Sequence, residues 1–271
     1  MSKRILITGS RGTLGSMLMK NLPADCSGVD LPETDITLSD SVERAVESFR
    51  PDVIINTAAI TDVDRCEERP QEAMKLHRDA VGHLVRTGVR LITVSTDQVF
   101  RNGRGTPLGE DSSADPANFY ARSKLEGESI ALSCSSAAVV RTSWLIGEKG
   151  MIPRMAGILA GGGTVNAVAD QTSCITLAEH LTVALGTLVF DESRTGLYHC
   201  VNQGPVTPYH LASRLQAILG RGTVLPVRWK DLSLPAPRPV WSALATMRDL
   251  LLPAYEEAFE TCVKRIISKT T

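Results

Sequence analysis

Tyr120 and Lys124 stand four residues apart in Tyr120-Ala121-Arg122-Ser123-Lys124. On a helix this spacing places a phenol and an ammonium on one face, a turn apart. A nearby ammonium favours the phenolate, so the spacing predicts a Tyr120 pKa below the usual value of about 10 and a better proton shuttle at neutral pH. Upstream, Thr96 offers a hydroxyl able to hold a carbonyl oxygen. A proton donor, a hydroxyl and a cation suffice to reduce a carbonyl, provided that a hydride source lies beside them.

The segment that could hold such a source is Gly9-Ser10-Arg11-Gly12-Thr13-Leu14-Gly15, directly after the apolar run Ile5-Leu6-Ile7 and before a helical pattern with Leu14, Leu18 and Leu22 on one stripe. Gly9 permits a tight turn, Gly12 lets backbone approach a pyrophosphate, and Gly15 lets the helix close on the strand. The phosphates then meet the N–H groups and positive dipole end of the helix that starts near Thr13. Asp30, closing the second short strand, suits the adenosine ribose hydroxyls and so NADH. Arg11 suits a 2′-phosphate and so NADPH, and the choice stays open. Lys124 can also hydrogen-bond a nicotinamide ribose.

Elements that would position these residues alternate along the first half of the chain. Strand patterns at Ile5–Thr8, up to Val29-Asp30, Val53–Ile55, Leu91–Ser95 and Ala137–Arg141 are interleaved with helical ones. Asp40 and Glu43 read as a capping box ahead of Val42, Val46 and Phe49, and residues 72–87 read as one helix. A polar loop runs from Arg101 to about Ala117 before the helix of Tyr120. Alternation of this kind predicts an α/β, Rossmann-like, doubly wound parallel sheet over residues 1–145. Beyond Trp144 the rhythm changes, so residues 146–271 read mainly as a smaller α/β substrate lobe, with elements at about 174–202 returning to the sheet.

With 43% hydrophobic and 22% charged residues and a net charge of −1, the chain has a globular composition and no global positive field for nucleic acid. No apolar run approaches the roughly 20 residues of a membrane span. Six cysteines are scattered without metal spacing, so no metal is expected and reduced thiols in the cytoplasm are.

In order and spacing, the motifs resemble those of the extended short-chain dehydrogenase/reductases, and among them the dTDP-4-dehydrorhamnose reductases. Gly9–Gly15 is similar to that family's G-x-x-G-x-x-G, Asn56-Thr57-Ala58-Ala59 to N-x-A-A, and Ser95–Phe100 to S-T-D-Y-V-F. Tyr120–Glu128 is similar to Y-x-x-[ST]-K-x-x-G-E, Arg141–Trp144 to R-T-S-W, and Gly196–His199 to G-[LIV]-Y-H. Asp170-Gln171 resembles the family's D-Q, and Arg238-Pro239 with Leu244 its late R-P-x-x-S-x-L.

The resemblance implies an oxidoreductase of deoxysugar biosynthesis, moving hydride from NADPH or NADH to C4 of a nucleotide-activated 4-keto-6-deoxysugar. It implies Thr96, Tyr120 and Lys124 as catalytic residues. Gly9, Ser10, Arg11, Gly12, Thr13, Leu14, Gly15, Asp30, Asn56, Ala58 and Ala59 would join Tyr120 and Lys124 at the cofactor. Thr96, Asp97, Gln98, Trp144, Gln171 and Arg238 would meet the sugar nucleotide, with Arg238 offering a planar fork to its diphosphate. An epimerase and a non-catalytic dinucleotide-binding regulatory subunit are the alternatives.

Some positions depart from the family pattern. Gln98 replaces an aromatic residue, His77 an Asn, and Ser173 and Ile175 a Gly and a Pro. Met17 stands where some members carry a metal-bridging Glu. A thioether does not replace a hard oxygen ligand, which implies a monomer or weak homodimer that is not metal-bridged.

Overall fold

The computed structural model describes residues 2–101, 103 and 105–268. Residues 102 and 104 of the polar loop expected from Arg101, and the initial Met1, lie outside it. In the first strand, β1 (Arg4–Thr8), Ile5 and Ile7 face one side of a sheet and Leu6 the other, all of them buried. Continuous burial of this kind marks a central strand covered on both faces.

The chain continues through α1 (Thr13–Asn21), β2 (Asp25–Val29), α2 (Ser39–Phe49) and β3 (Val53–Asn56). Then come α3 (Val63–Glu68), α4 (Pro70–Met74), a π-helical turn over Lys75–Asp79, α5 (Ala80–Arg86) and β4 (Arg90–Thr96). After a 3-10 turn at Asp97–Val99 follow α6 (Phe119–Leu132), β5 (Ala138–Thr142), β6 (Trp144–Ile146), α7 (Met151–Ala160), β7 (Thr164–Val168) and β8 (Ile175–Leu177). The remainder is α8 (Ala178–Phe190), β9 (Gly196–His199), α9 (Pro208–Leu219), β10 (Thr223–Val227), a 3-10 turn at Trp229–Leu232 and α10 (Tyr255–Ser268).

Six strands form one parallel sheet in the order β2-β1-β3-β4-β5-β9. Chain direction across the sheet switches between β1 and β3, the crevice where open α/β sheets bind ligands beyond their carboxyl ends. Thr8 pairs with Asn56, and Thr96 with Thr142, so the strand ends that carry the predicted chemistry share one edge. One face packs Leu14 and Leu18 of α1, with Leu22 at its C-cap, against Leu181, Leu185 and Leu188 of α8. The other packs Val42, Leu84 and Ala131 against Leu6, Ile54 and Leu91.

A second core forms beyond the sheet. β6 pairs with β8, β7 pairs with β10, and α7, α9 and α10 close over Ile152, Leu159, Leu215 and Phe259. Phe259 is fully buried, and truncating such a ring to Ala costs about 3–5 kcal/mol.

Two local expectations change. Leu38, not Asp40, occupies the N-cap of α2, and no side chain caps it. Asp40 lies inside the first turn, where its charge still suits the helix dipole. The helix expected over residues 72–87 begins at Pro70 and widens into the π turn centred on His77. Among the described residues no helix is long and apolar enough to cross a membrane.

Candidate active site

Gly9 has a φ of 68°, and a Cβ there would stand 2.7 Å from the Ala58 nitrogen. Only glycine therefore lets the β1–α1 turn lie against the loop after β3. A Cβ at Gly15 would run into the Gly9 carbonyl, which explains the close approach of α1. The first turn of α1 carries no acidic side chain, so its free N–H groups form a cradle suited to an anion. These features fit a dinucleotide pyrophosphate.

Asn56 sits behind this turn rather than in it. Its Oδ1 accepts from the Thr8 hydroxyl at 2.6 Å and from the Ala58 nitrogen at 3.3 Å, while Nδ2 donates to the Thr93 hydroxyl at 3.1 Å. The amide ties three strand ends together and is 2% exposed, so it holds Ala58 and Ala59 in position.

Asp30 accepts from the backbone nitrogens of Arg11 and Leu31, both at 2.9 Å. Arg11 turns away from the glycine turn. Its guanidinium donates to both carboxylate oxygens of Glu33 at 2.8 Å and to the Leu31 carbonyl at 2.5 Å. Glu33 holds the Arg11 pKa up, and the pair lowers that of Glu33. The Arg11 and Glu33 side chains are 59% and 63% exposed.

At the other end, Asn118 caps α6 by accepting from the Ala121 nitrogen at 2.8 Å, which sets the direction of the helix bearing Tyr120 and Lys124. Tyr120 and Thr96 line the same cleft, and the Thr96 side chain pulls the Tyr120 pKa down. Lys124 Nζ donates to the Val94 carbonyl at 2.6 Å, and burial draws its pKa down to about 8 against the opposing charge of Glu128. The expected lowering of the Tyr120 pKa is absent. Burial raises it more than the Thr96 side chain lowers it, and the neighbouring Asp97 charge adds to the rise. A phenol held protonated is a proton donor.

Thr96 is fixed in turn by Asp97, which accepts its hydroxyl at 3.2 Å. The other Asp97 oxygen accepts from Ser173 at 2.6 Å and Ser242 at 2.5 Å. Burial pushes this carboxyl up while the three hydroxyls pull it down. Thus Ser173, where the resembled motif has Gly, fastens the second lobe to the residue next to Thr96. Gln98 Oε1 accepts from Asn118 at 3.2 Å, linking the position of the replaced aromatic residue to the cap of α6.

A cleft of about 540 Å³ is lined by Gly12, Thr96, Tyr120, Lys124 and Trp144, with Asp97 and Gln98 also at its wall. A second hollow of about 620 Å³ holds Gly9, Asp30 and Ala58, and the two share Gly12, Thr57 and Ala59. Together they form one groove across the switch point. Gln171 and Arg238 do not line it. Arg238 donates to Asp64 at 3.1 and 2.7 Å and to the Ala236 carbonyl at 2.6 Å. Through these bonds it pins fully buried Ala236 beside Tyr120, Val63 and Cys66.

Three supports of the site escaped sequence reasoning. Glu128 lies one turn after Lys124 and pairs with Arg141 at 2.6 Å, accepting also from Ser95 at 2.5 Å. The i,i+4 spacing of Lys124 and Glu128 was a usable signal. His77 and the Asp97 clasp had none, because their partners are remote in sequence. Among the described residues no three His, Cys, Asp or Glu side chains cluster at metal-binding geometry, and all six cysteines are free thiols.

The family model for the RmlD substrate binding domain matches residues 3–270. A dTDP-4-dehydrorhamnose reductase of Mycolicibacterium smegmatis is 33% identical, covering 100% of this chain and 88% of the relative. A Streptomyces antibioticus protein named as a probable dTDP-4,6-dihydroxy-2-methyloxan-3-one 4-ketoreductase is also 33% identical, covering 89% and 86%. The crystal structure of a Bacillus anthracis dTDP-4-dehydrorhamnose reductase in complex with NADP superposes with a TM-score of 0.93 at 29% identity, over 98% of this chain and 100% of that one. Similarity that runs through both the sheet and the second lobe makes this chain a member of the dTDP-4-dehydrorhamnose reductase family, within the extended short-chain dehydrogenase/reductases.

Proposed function

We propose that this chain reduces the C4 keto group of a nucleotide-activated 4-keto-6-deoxysugar with NADPH or NADH. The observation that carries the reading is that Thr96, Tyr120 and Lys124 line one cleft continuous with the glycine turn. When bound, the nicotinamide supplies the hydride. Tyr120 donates its hydroxyl proton to the oxygen that develops charge as the carbonyl is reduced, and Thr96, turning its hydroxyl from Asp97, holds that oxygen by hydrogen bonding. Lys124 orients the nicotinamide ribose, reaching it from its anchor at the Val94 carbonyl.

The groove end at Gly9, Ser10, Gly12, Thr13, Leu14 and Gly15 takes the pyrophosphate, with Asp30 toward the adenosine ribose. Asp97, Gln98 and Trp144 line the substrate side. In this reading residues 1–145, with elements of about 174–202, carry the cofactor, and the rest of 146–271 carries the sugar nucleotide. Arg238 serves the substrate side as a clamp on its loop. The reaction belongs in the cytoplasm, and the chain acts as a monomer or weak homodimer. Met17 gives a bridging metal no oxygen ligand and is instead held by Asn21.

Spectrophotometry of NADPH and NADH oxidation with a dTDP-4-keto-6-deoxysugar tests the reading. One cofactor oxidised per sugar reduced is expected. Product formation without net cofactor oxidation would identify an epimerase, and cofactor binding without turnover of any such sugar would leave a regulatory subunit.

A further inference from the structure

His77 is 1% exposed at the centre of the π turn, and the reduction described above does not use it. Its Nε2 accepts the Ile60 backbone N–H at 2.9 Å, and its Nδ1 lies 2.8 Å from the Ser123 hydroxyl. Ser123 in turn donates to the Tyr120 carbonyl at 2.9 Å. Because a backbone N–H only donates, Nε2 carries no proton, and the single imidazole proton sits on Nδ1. The order is therefore fixed: Ile60 N–H to Nε2, Nδ1–H to Ser123, and Ser123 O–H to Tyr120. The imidazole also meets the Tyr120 ring edge-on, with centroids 5.6 Å apart at 87°.

The backbone supports this placement from both sides. The widened turn directs the His77 carbonyl at α6, where a Cβ on Gly127 would collide with it. At the other end, Ile60 follows Ala58 and Ala59 in the wall of the groove. A single side chain thus joins the cofactor-side loop to the helix of the proton donor. Burial, with the Lys124 charge nearby, pushes its pKa down to about 2, so the ring is neutral throughout the working range.

We propose that His77 is a positioning residue which, as its neutral Nδ1–H tautomer, sets Tyr120 through Ser123 and sets the groove wall through Ile60. The Tyr120 arm rests on the proposed reduction, whereas the Ile60 arm and the tautomer do not. Two amides separate the arms. His77→Gln extends an oxygen toward the Ile60 nitrogen and loses the donor to Ser123. His77→Asn keeps a nitrogen near Ser123 and loses the acceptor for Ile60.

For His77→Gln, kcat is expected to fall about tenfold with cofactor Kd little changed. For His77→Asn, Kd is expected to rise about tenfold with a smaller loss of kcat. Fluorescence titration of NADPH reads Kd without any sugar substrate, and nitrogen NMR of labelled histidine in the wild-type enzyme reads the tautomer even if a variant fails to fold. An Nε2–H or protonated His77 overturns the proposal, as do folded variants with unchanged Kd and kcat. Loss of turnover with every sugar, alongside an intact tautomer and the expected Kd shift, would overturn the reduction and leave the Ile60 arm standing.

Discussion

At the Asp30 end of the groove, charge stands in water. Arg11 and Glu33 pair with each other while both remain more than half exposed. At the Thr96 end, Thr96, Asp97, Tyr120, Lys124 and Glu128 are each less than a tenth exposed, and each has a protein partner, for Tyr120 the ring of His77. An exposed pair is screened and held weakly, so it can exchange its partner for a ligand phosphate. A buried cluster exchanges nothing cheaply, because any group left alone keeps its desolvation cost. One end of the groove is therefore adaptable and the other prearranged, which suits a cofactor that comes and goes over a fixed proton donor.

The largest expected effect breaks the prearranged end at its reacting atom. Tyr120→Phe removes the proton donor while keeping the ring against His77, and kcat is expected to fall by about 10²–10⁴-fold. Cofactor Kd is expected to hold. A variant that reduces substrate at the wild-type rate would remove Tyr120 from the chemistry.

Next comes the buried pair behind Lys124. Glu128→Gln leaves Arg141 without its counter-charge at a site 4% exposed, a change that costs about 3–5 kcal/mol. Urea unfolding measures it. A loss as small as that of a surface pair would erase the contrast between the two ends.

Acidification sharpens the comparison further. The His77 pKa is about 2 in the folded protein against 6.5 for the free side chain. Between those values the unfolded chain binds the extra proton, so this group lowers stability as pH falls through about 6.5 toward 2. From about pH 7 to about pH 5 the loss is ~2 kcal/mol. His77→Asn lacks this proton and is expected to show a shallower fall in stability over the same range. Parallel curves for the two proteins would mean that His77 titrates normally.

The smallest effect belongs to the adaptable end. Arg11→Ala is expected to leave Tm unchanged and to weaken NADPH several-fold more than NADH, by removing a cation that can leave Glu33 for a 2′-phosphate. Equal affinities in both proteins would make Arg11 a surface charge only.

Legibility in the sequence followed chain distance. The parallel sheet, the glycine turn and the Tyr120–Lys124 face all arise from residues within one or two elements, where periodicity and spacing carry the information. Asp40 reads as a cap in sequence, but Leu38 and Asp40 compete for the same start within two residues, and the first hydrogen-bonded turn begins at the apolar one. Arg238 illustrates the opposite limit. Its partner, Asp64, lies 174 residues away, so the loop motif alone could not separate a phosphate ligand from an ion pair. The Tyr120 pKa likewise depended on depth below the surface, which a helical spacing does not encode.

The serines on Asp97 have a consequence for the growing polypeptide. They lie 76 and 145 residues downstream of the carboxylate they fasten. A ribosome that has completed the first five strands of the sheet has therefore made Thr96, Tyr120 and Lys124 without the clasp that steadies them. Only after residue 242 emerges and the later segment docks can Asp97 Oδ2 exchange water for both serine hydroxyls. Competence for the reaction is thus acquired late in synthesis, as a long-range closure step whose loop entropy must be overcome before the nascent enzyme can turn over.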